Sequence, residues 1–184
     1  MGTKSKPIIV AGFPYAYPYY FKVFEKLSRK EDFVFILPRF WWAKGGKIKI
    51  YFKNRPGFTS MSTLALSYGN TSFLGGIWKG WMPGILWRLI YCRLKYKSKI
   101  LYSCSEPHLL TTLYNALEVK LLGYQQNLCT CQNVPPHTRM KGIKLRLSNT
   151  LVRLNLKLSN GVICGNQQAK DIMTFFNPAL RFLT

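Results

Sequence analysis

The stretch of sequence that decides the fold is KILYSCSEPHLLTTLYNALEVKLLGYQQNLCTC, residues 99–131. The short apolar run 99–103 at its start predicts a buried strand, and 107–122 predicts a helix that ends at Gly123. A second short strand is predicted at 127–131. A strand, a helix and a further strand of these lengths form a right-handed βαβ unit, in which the two strands are parallel.

The same alternation of strands and helices continues on both sides of this unit. Further predicted strands lie at residues 7–13, 33–37, 47–53 and 161–164, the third of them an edge strand with alternating basic and apolar residues. Further predicted helices lie at residues 19–30, 78–97, 138–158 and 167–176. We therefore predict one α/β domain over residues 1–184, with a Rossmann-like, mostly parallel sheet covered by helices on both faces.

Basic residues far outnumber acidic ones. The chain has 27 Lys and Arg against 6 Asp and Glu, which gives a formal net charge of +21. No acidic residue occurs from residue 33 to residue 105, so that region carries most of the excess. Such a charge favours polyanionic partners, which are nucleic acid, anionic lipid head groups or a phosphorylated substrate.

Cysteine usage indicates a reducing compartment. The five cysteines are an odd number, and four of them lie in apolar runs that predict strands. Reduced thiols of this kind predict a protein on the cytosolic side of a membrane. Cys129 and Cys131 alternate on one predicted strand without a nearby Cys or His pair to complete a tetrahedral site, so we predict no metal site.

One helical segment is both apolar and basic. The apolar run 73–94 is interrupted by charged residues, so we predict that it lies on a membrane surface and does not span the membrane. An apolar stripe at helical spacing is formed by Trp78, Met82, Ile85, Leu89 and Cys92. The residues predicted to bind anionic lipid are Trp78, Trp81, Trp87, Arg88, Arg93, Lys95 and Lys97. The alternative is that the tryptophans pack on the sheet.

Ligands of parallel sheets bind beyond the carboxyl ends of the strands, so the loops there hold the candidate substrate-binding residues. These candidates are Tyr15, Glu106, His108, Thr111, Gln132 and Asn133. The loop after the first strand lacks the Gly-x-Gly-x-x-Gly pattern that binds a dinucleotide, and we predict no cofactor.

Each candidate also has a structural interpretation. Tyr15 could stack on a sugar ring or cover the end of the sheet. Glu106 could contact a sugar hydroxyl or stabilise the start of a helix that has Pro107 in its first turn. His108 could act as a base, bind phosphate or lie on the surface, and the amides of Gln132 and Asn133 could bind hydroxyls or the loop backbone.

Three segments carry a resemblance to a known family. They are 105–116 (SEPHLLTTLYNA), 130–135 (TCQNVP) and 161–169 (GVICGNQQA), and together they resemble the N-terminal domain of retaining GT-B glycosyltransferases of the family 4 type. Family members often carry a glycine pair in the first loop and a histidine just before the Glu-Pro. This chain has Phe13-Pro14-Tyr15 and Ser105 there, and we assign no catalytic residue.

The resemblance implies one half of a two-domain enzyme. The N-terminal domain would hold the acceptor, a lipid-linked or surface glycan. A C-terminal domain, which residues 1–184 do not include, would bind the nucleotide-sugar that donates a hexose. Residues 177–184 resemble the last strand before the donor domain. We therefore expect a chain that is inactive alone and peripheral on the cytoplasmic face of a membrane.

Two alternatives to this function stay open. One is a basic module that binds a membrane surface or nucleic acid, although no nucleic-acid-binding signature occurs and nucleic acid is not the predicted partner. The other is a non-catalytic subunit that pairs with a separate donor-domain chain, as in a split transferase.

Overall fold

The central element of the chain is a parallel sheet of six strands. A computed structural model describes residues 6–12, 21–28, 30–43, 46–50, 52–66, 76–131 and 134–182. The strands are β1 Ile8–Ala11, β2 Phe33–Pro38, β3 Phe40–Ala43, β4 Gly46–Lys49, β5 Phe58–Thr63, β6 Ile100–Cys104, β7 Gln125–Thr130 and β8 Gly161–Cys164. The main sheet has the order β5-β2-β1-β6-β7-β8 with every neighbouring pair parallel, which confirms the predicted α/β, Rossmann-like fold class.

Helices connect the strands of this sheet and lie on both of its faces. They are α1 Lys22–Leu27, α2 Ile85–Tyr96, α3 Leu110–Leu121, α4 Pro136–Arg139, α5 Gly142–Leu158 and α6 Gln167–Phe176. Gly123, which follows α3, has a φ of 67°, the left-handed conformation that commonly ends a helix. Asn166 caps α6 by accepting a hydrogen bond of 2.8 Å from the amide of Ala169.

The core is divided by the sheet, because alternate residues of each strand point to opposite faces. On one face Ile9 and Ala11 of β1 pack in a cluster with Ile85 and Leu89 of α2 and Val119 of α3. On the other face an aromatic cluster packs under α1 and consists mainly of Phe21, Phe24, Phe33, Phe35 and Phe58. Helices α2 and α3 therefore cover one face and α1 covers the other.

The structure corrects the prediction for the edge of the sheet. The segment 47–53 was predicted to be an edge strand, but β4 pairs antiparallel with β3 in a separate two-stranded sheet. The edge position belongs to β5, which pairs parallel with β2 and lies in a segment for which no strand was predicted. At the opposite edge, Phe182 forms a single parallel bridge with Val162 of β8, in the segment predicted to be the last strand.

Two helices begin later than predicted. Residues 78–80 form a turn, and α2 begins at Ile85. Glu106 and Pro107 were assigned to the start of a helix, but α3 begins at Leu110 with Leu109 as its N-cap residue. The carboxylate of Glu106 therefore does not cap the helix.

The sequence predicts an apolar stripe on α5 at Ile143, Leu147, Leu151, Leu154 and Leu158, and the buried face of the helix differs from this stripe. Leu151 of that stripe is buried, but Ile143 is 83% exposed and Leu147 and Leu154 are partly exposed. The buried face instead includes Ser148 and Asn155. Asn155 is turned inward because its side-chain amide donates a hydrogen bond of 2.7 Å to the carbonyl oxygen of Pro107.

Candidate functional site

The topological switch point of the sheet lies between β1 and β6. The chain builds β1, β2 and β5 outward in one direction and then returns to place β6 on the other side of β1. Ligand sites of open α/β sheets occur at the carboxyl ends of the strands at this point. Gly12 follows β1 here with a φ of 152°, and a Cβ at this position would overlap the carbonyl oxygen of Cys104. Only glycine allows the two strand ends to approach so closely.

A carboxylate lies at the end of β6, beside the switch point. The Oε2 atom of Glu106 accepts a hydrogen bond of 2.6 Å from the hydroxyl of Thr130, the last residue of β7. Thr130 is 1% exposed, whereas Glu106 is half-buried. The Oε1 atom of Glu106 makes no hydrogen bond within the part of the chain that the structure describes. One oxygen of the carboxylate is therefore held by the neighbouring strand.

The turn between β6 and α3 holds Glu106 in place through hydroxyl groups. The hydroxyl of Thr112 donates a hydrogen bond of 2.7 Å to the carbonyl oxygen of Glu106 and also contacts the hydroxyl of Ser105. The amide of Leu109 donates to the same carbonyl oxygen at 3.1 Å. Ser105 and Thr112 are both buried. The backbone that carries Glu106 is thus fixed by two independent donors.

The other predicted substrate-binding residues lie in different parts of the chain. His108 is half-buried in the turn before α3, and not in the helix itself. Thr111 is 3% exposed in the first turn of α3, and its hydroxyl lacks a hydrogen-bond partner among the described residues. Tyr15, Gln132 and Asn133 lie outside the described residues. Among the candidates that the structure describes, Glu106 lies beside the switch point.

Sequence reasoning missed the residues that position Glu106. Thr130 was interpreted only as part of a strand and of the segment 130–135, and Ser105 and Thr112 only as part of the segment 105–116. The available signal was the position of Thr130 at the end of the strand that follows β6, because neighbouring parallel strands bring their carboxyl ends together.

Two thiols lie at the ends of the two strands beside this carboxylate. Cys104 of β6 and Cys129 of β7 are register partners on neighbouring strands. A hydrogen bond from the thiol of Cys104, assisted by one from Tyr102, lowers the pKa of the Cys129 thiol to about 7 against the opposing effect of burial. All five cysteines are free. In the ranges that the structure describes, no group of three or more His, Cys, Asp or Glu residues could hold a metal ion.

A buried carboxyl group lies in α3. Glu118 is 7% exposed, and burial raises the pKa of its carboxyl group to about 7. Its Oε2 atom has no hydrogen-bond partner among the described residues, while the hydroxyl of Tyr114 interacts with the carboxyl group. Tyr114 in turn donates a hydrogen bond of 3.3 Å to the carbonyl oxygen of Pro83, just before α2.

Two of the tryptophans predicted to bind lipid pack against protein. The rings of Trp78 and Trp81 lie 4.9 Å apart, and Trp81 meets the ring of Tyr114 edge-on at 5.9 Å. Both tryptophans are half-buried. The apolar stripe that continues from Trp78 through Met82, Ile85, Leu89 and Cys92 is buried from Met82 onward, so it belongs to the core.

The basic residues predicted to bind lipid fall into two groups. Arg88 and Lys95 are exposed on α2, and Lys97 is exposed just after it, with a left-handed φ of 53°. Arg93 is half-buried, donates a hydrogen bond of 3.1 Å to the carbonyl oxygen of Ser98 and lies over the ring of Tyr124. Arg93 therefore stabilises the end of α2 through contacts within the protein.

Exposed apolar side chains lie instead on the outward faces of α2 and α3. Trp87 is 71% and Leu94 is 76% exposed on α2, with Tyr91 between them. Leu117 and Leu121 are exposed on α3. The two helices are neighbours, because the hydroxyl of Tyr124 after α3 donates a hydrogen bond of 2.7 Å to the carbonyl oxygen of Leu89 in α2. We call these five exposed residues the outer apolar surface.

The exposed charged side chains of the helices that carry the outer apolar surface are basic. Arg88 and Lys95 are exposed on α2, and Lys120 is exposed on α3. The two helices contain one carboxylate between them, Glu118, and it is buried. Within the described ranges, no helix is long and apolar enough to cross a membrane.

Comparisons with known proteins do not identify a family for the chain. No protein-family model matches the chain, and a search of curated proteins finds no match for its sequence.

Proposed function

We propose that this chain is the acceptor-binding domain of a retaining glycosyltransferase that moves a hexose from a nucleotide-sugar to a lipid-linked or surface glycan. In this proposal the nucleotide-sugar binds a separate donor domain, and the chain alone is inactive. Support comes from the α/β sheet and from the Glu-Pro turn.

The observation that carries this proposal is the arrangement of Glu106 at the switch point. A carboxylate with one oxygen held by Thr130 and the other unengaged among the described residues is suited to accept a hydrogen bond from a sugar hydroxyl. Its backbone is held by Thr112 and Leu109, so the carboxylate needs little rearrangement to bind. Glu106 acts here as an acceptor-binding residue, and no catalytic role is assigned to it.

Substitution of Glu106 tests this role. Glu106→Gln keeps an oxygen that can accept the hydrogen bond from Thr130 but removes the charge. Hydrogen bonds to charged groups contribute about 1.5–3 kcal/mol, so binding of alkyl glucosides or mannosides should weaken about tenfold or more. Saturation-transfer NMR measures this binding. Glu31→Gln, which lies just before β2 at the opposite end of the sheet, is the matched control and should bind as the unmodified chain does. Equal binding by the Glu106 and Glu31 variants would refute the assignment.

We also propose that the domain works at the cytoplasmic surface of an anionic membrane, as a peripheral protein. The outer apolar surface, flanked by Arg88, Lys95 and Lys120, has the composition of an interfacial lipid-binding surface. It replaces Trp78 and Trp81, which pack against each other and Tyr114, as the proposed site of insertion. A lipid-linked acceptor would be reached from such a surface.

Vesicle binding tests the membrane proposal. Each large apolar side chain that enters the interface contributes about 1.5–3 kcal/mol at full burial, so the double variant Trp87→Ser and Leu94→Ser should bind phosphatidylglycerol vesicles at least about tenfold more weakly. Leu27→Ser, an exposed leucine of α1 on the opposite face, is the control and should leave binding unchanged. Co-sedimentation measures both. Undiminished binding of the double variant, or equal binding to neutral phosphatidylcholine vesicles, would rule out this surface.

A further inference from the structure

The carboxyl ends of β6 and β7 hold a pair of thiols that is placed for covalent chemistry. Cys104 and Cys129 are direct register partners on these parallel strands. Neighbouring strands lie about 4.8 Å apart, which falls within the Cα separation of about 4.4–6.8 Å that a disulfide requires. Both side chains point to the same face of the sheet, because register partners share a face.

The remaining cysteines near this pair are directed elsewhere. The sulfur of Cys131 lies beside Gly165, which follows β8. A Cβ added to Gly165 would lie 2.6 Å from this sulfur. Cys164 pairs in register with Thr130 and packs against the cluster that contains Leu128, on the opposite face from Cys129. The geometry therefore singles out Cys104 as the partner of Cys129.

We propose that Cys104 and Cys129 form a dithiol modification site that is oxidised reversibly to a disulfide by low-molecular-weight disulfides such as glutathione disulfide. The Cys129 sulfur attacks one sulfur of glutathione disulfide, so a mixed disulfide forms and one glutathione leaves as a thiolate and takes up a proton. The thiol of Cys104 then loses its proton and attacks the Cys129 sulfur, which expels the second glutathione. The two cysteine thiols are oxidised, and glutathione disulfide is reduced to two glutathione molecules.

The reactivity of the pair is consistent with its surroundings. Hydrogen bonds from Cys104 and Tyr102 stabilise the Cys129 thiolate, and both cysteines are only partly buried. The negative charge of Glu106 opposes ionisation of Cys129 without cancelling the effect of these donors. The disulfide would join β6 to β7 one residue before Thr130, whose hydroxyl holds Glu106. The inference does not depend on the proposed transferase function.

Equilibration in glutathione buffers of graded oxidised-to-reduced ratio tests the proposal. After acid quenching, alkylation and tryptic digestion, which cleaves at Lys120 between the two cysteines, the peptide of Cys104 should be joined to peptide 121–139 as the major oxidised product. Fragmentation of the joined peptides in the mass spectrometer should place the link at Cys129 and leave Cys131 alkylated. Excess reduced glutathione should reverse the link. This readout needs no variant, so it is independent of any effect of substitution on folding.

Two variants then separate the steps. Cys104→Ser should stop the reaction at a glutathione adduct on Cys129, whereas the control Cys164→Ser should still form the link. The proposal is overturned if the unmodified chain stops at an adduct on Cys129, if Cys131 forms the crosslink, or if Cys129 stays reduced across the whole series.

Discussion

The buried carboxyl group of Glu118 should make the stability of the chain depend on pH in a direction opposite to that of a salt-bridged acid. Burial in α3 raises the pKa of this group from 4.5 to about 7. The folded chain therefore holds the proton more tightly than the unfolded chain does. Below about pH 4.5 the group is protonated in both states, and as the pH rises toward 7 the unfolded state gains increasingly from ionisation.

The size of the effect follows from the same values. One pKa unit corresponds to about 1.4 kcal/mol, so full conversion gives about 3 kcal/mol of destabilisation above pH 7. Solvent that still reaches the group screens part of this, and we expect about 2 kcal/mol. Glu118→Gln cannot ionise but can keep its contact with Tyr114. It should therefore match the unmodified chain near pH 5 and exceed it by about 2 kcal/mol near pH 8.

Urea unfolding followed by circular dichroism from about pH 5 to about pH 8 measures this difference. Glu31→Gln is the control, because it removes one negative charge from a chain of net charge +21 without involving a buried carboxyl group. A difference between Glu118→Gln and the unmodified chain that stays constant over this pH range would refute the reasoning, as would a variant that is less stable at the alkaline end.

Two further predictions concern α2 and the thiols. Leu89→Ala leaves a cavity at a fully buried position of α2 and should lower the free energy of unfolding in urea by about 2–5 kcal/mol. Leu94→Ala, on the exposed side of the same helix, should change it by less than about 0.5 kcal/mol. Similar losses for the two variants would mean that the buried face of α2 is wrongly assigned. The rate at which iodoacetamide alkylates Cys129, followed by mass spectrometry, should rise with pH around a midpoint of about 7. Burial raises the pKa of Cys164 to about 11, so Cys164 should react slowly at neutral pH. Identical pH profiles for these two cysteines would contradict the hydrogen bond from Cys104.

The parallel sheet could be predicted because several of its strands carry an unambiguous signal. β1, β2 and β8 are short apolar runs, and helices separate most of the strands, so few other topologies fit. The edge of the sheet at β5 was less predictable. β5 has the sequence FTSMST, whose polar residues suit an edge strand but equally suit a loop. The basic alternation of 47–53 fitted an edge strand, yet β4 of this segment pairs with the adjacent aromatic strand β3.

Local helix signals failed where side chains make long-range hydrogen bonds. Pro107 and Glu106 suit a first helical turn, but the carbonyl oxygen of Glu106 is used by Thr112 and Leu109, and its carboxylate by Thr130. The stripe of α5 was misplaced for a related reason, because the inward-facing Asn155 bonds to Pro107 and brings a polar side chain into the core. Apolar periodicity does not report such polar burial.

The most direct test of the account is an isothermal titration of the chain with alkyl glucosides or mannosides, beside separate titrations with UDP-sugars and GDP-sugars. We predict that the glycosides bind, that their binding weakens about tenfold or more in Glu106→Gln, and that no nucleotide-sugar binds tightly. Tight nucleotide-sugar binding, with or without glycoside binding, would contradict the account, because the donor site would then lie in this domain.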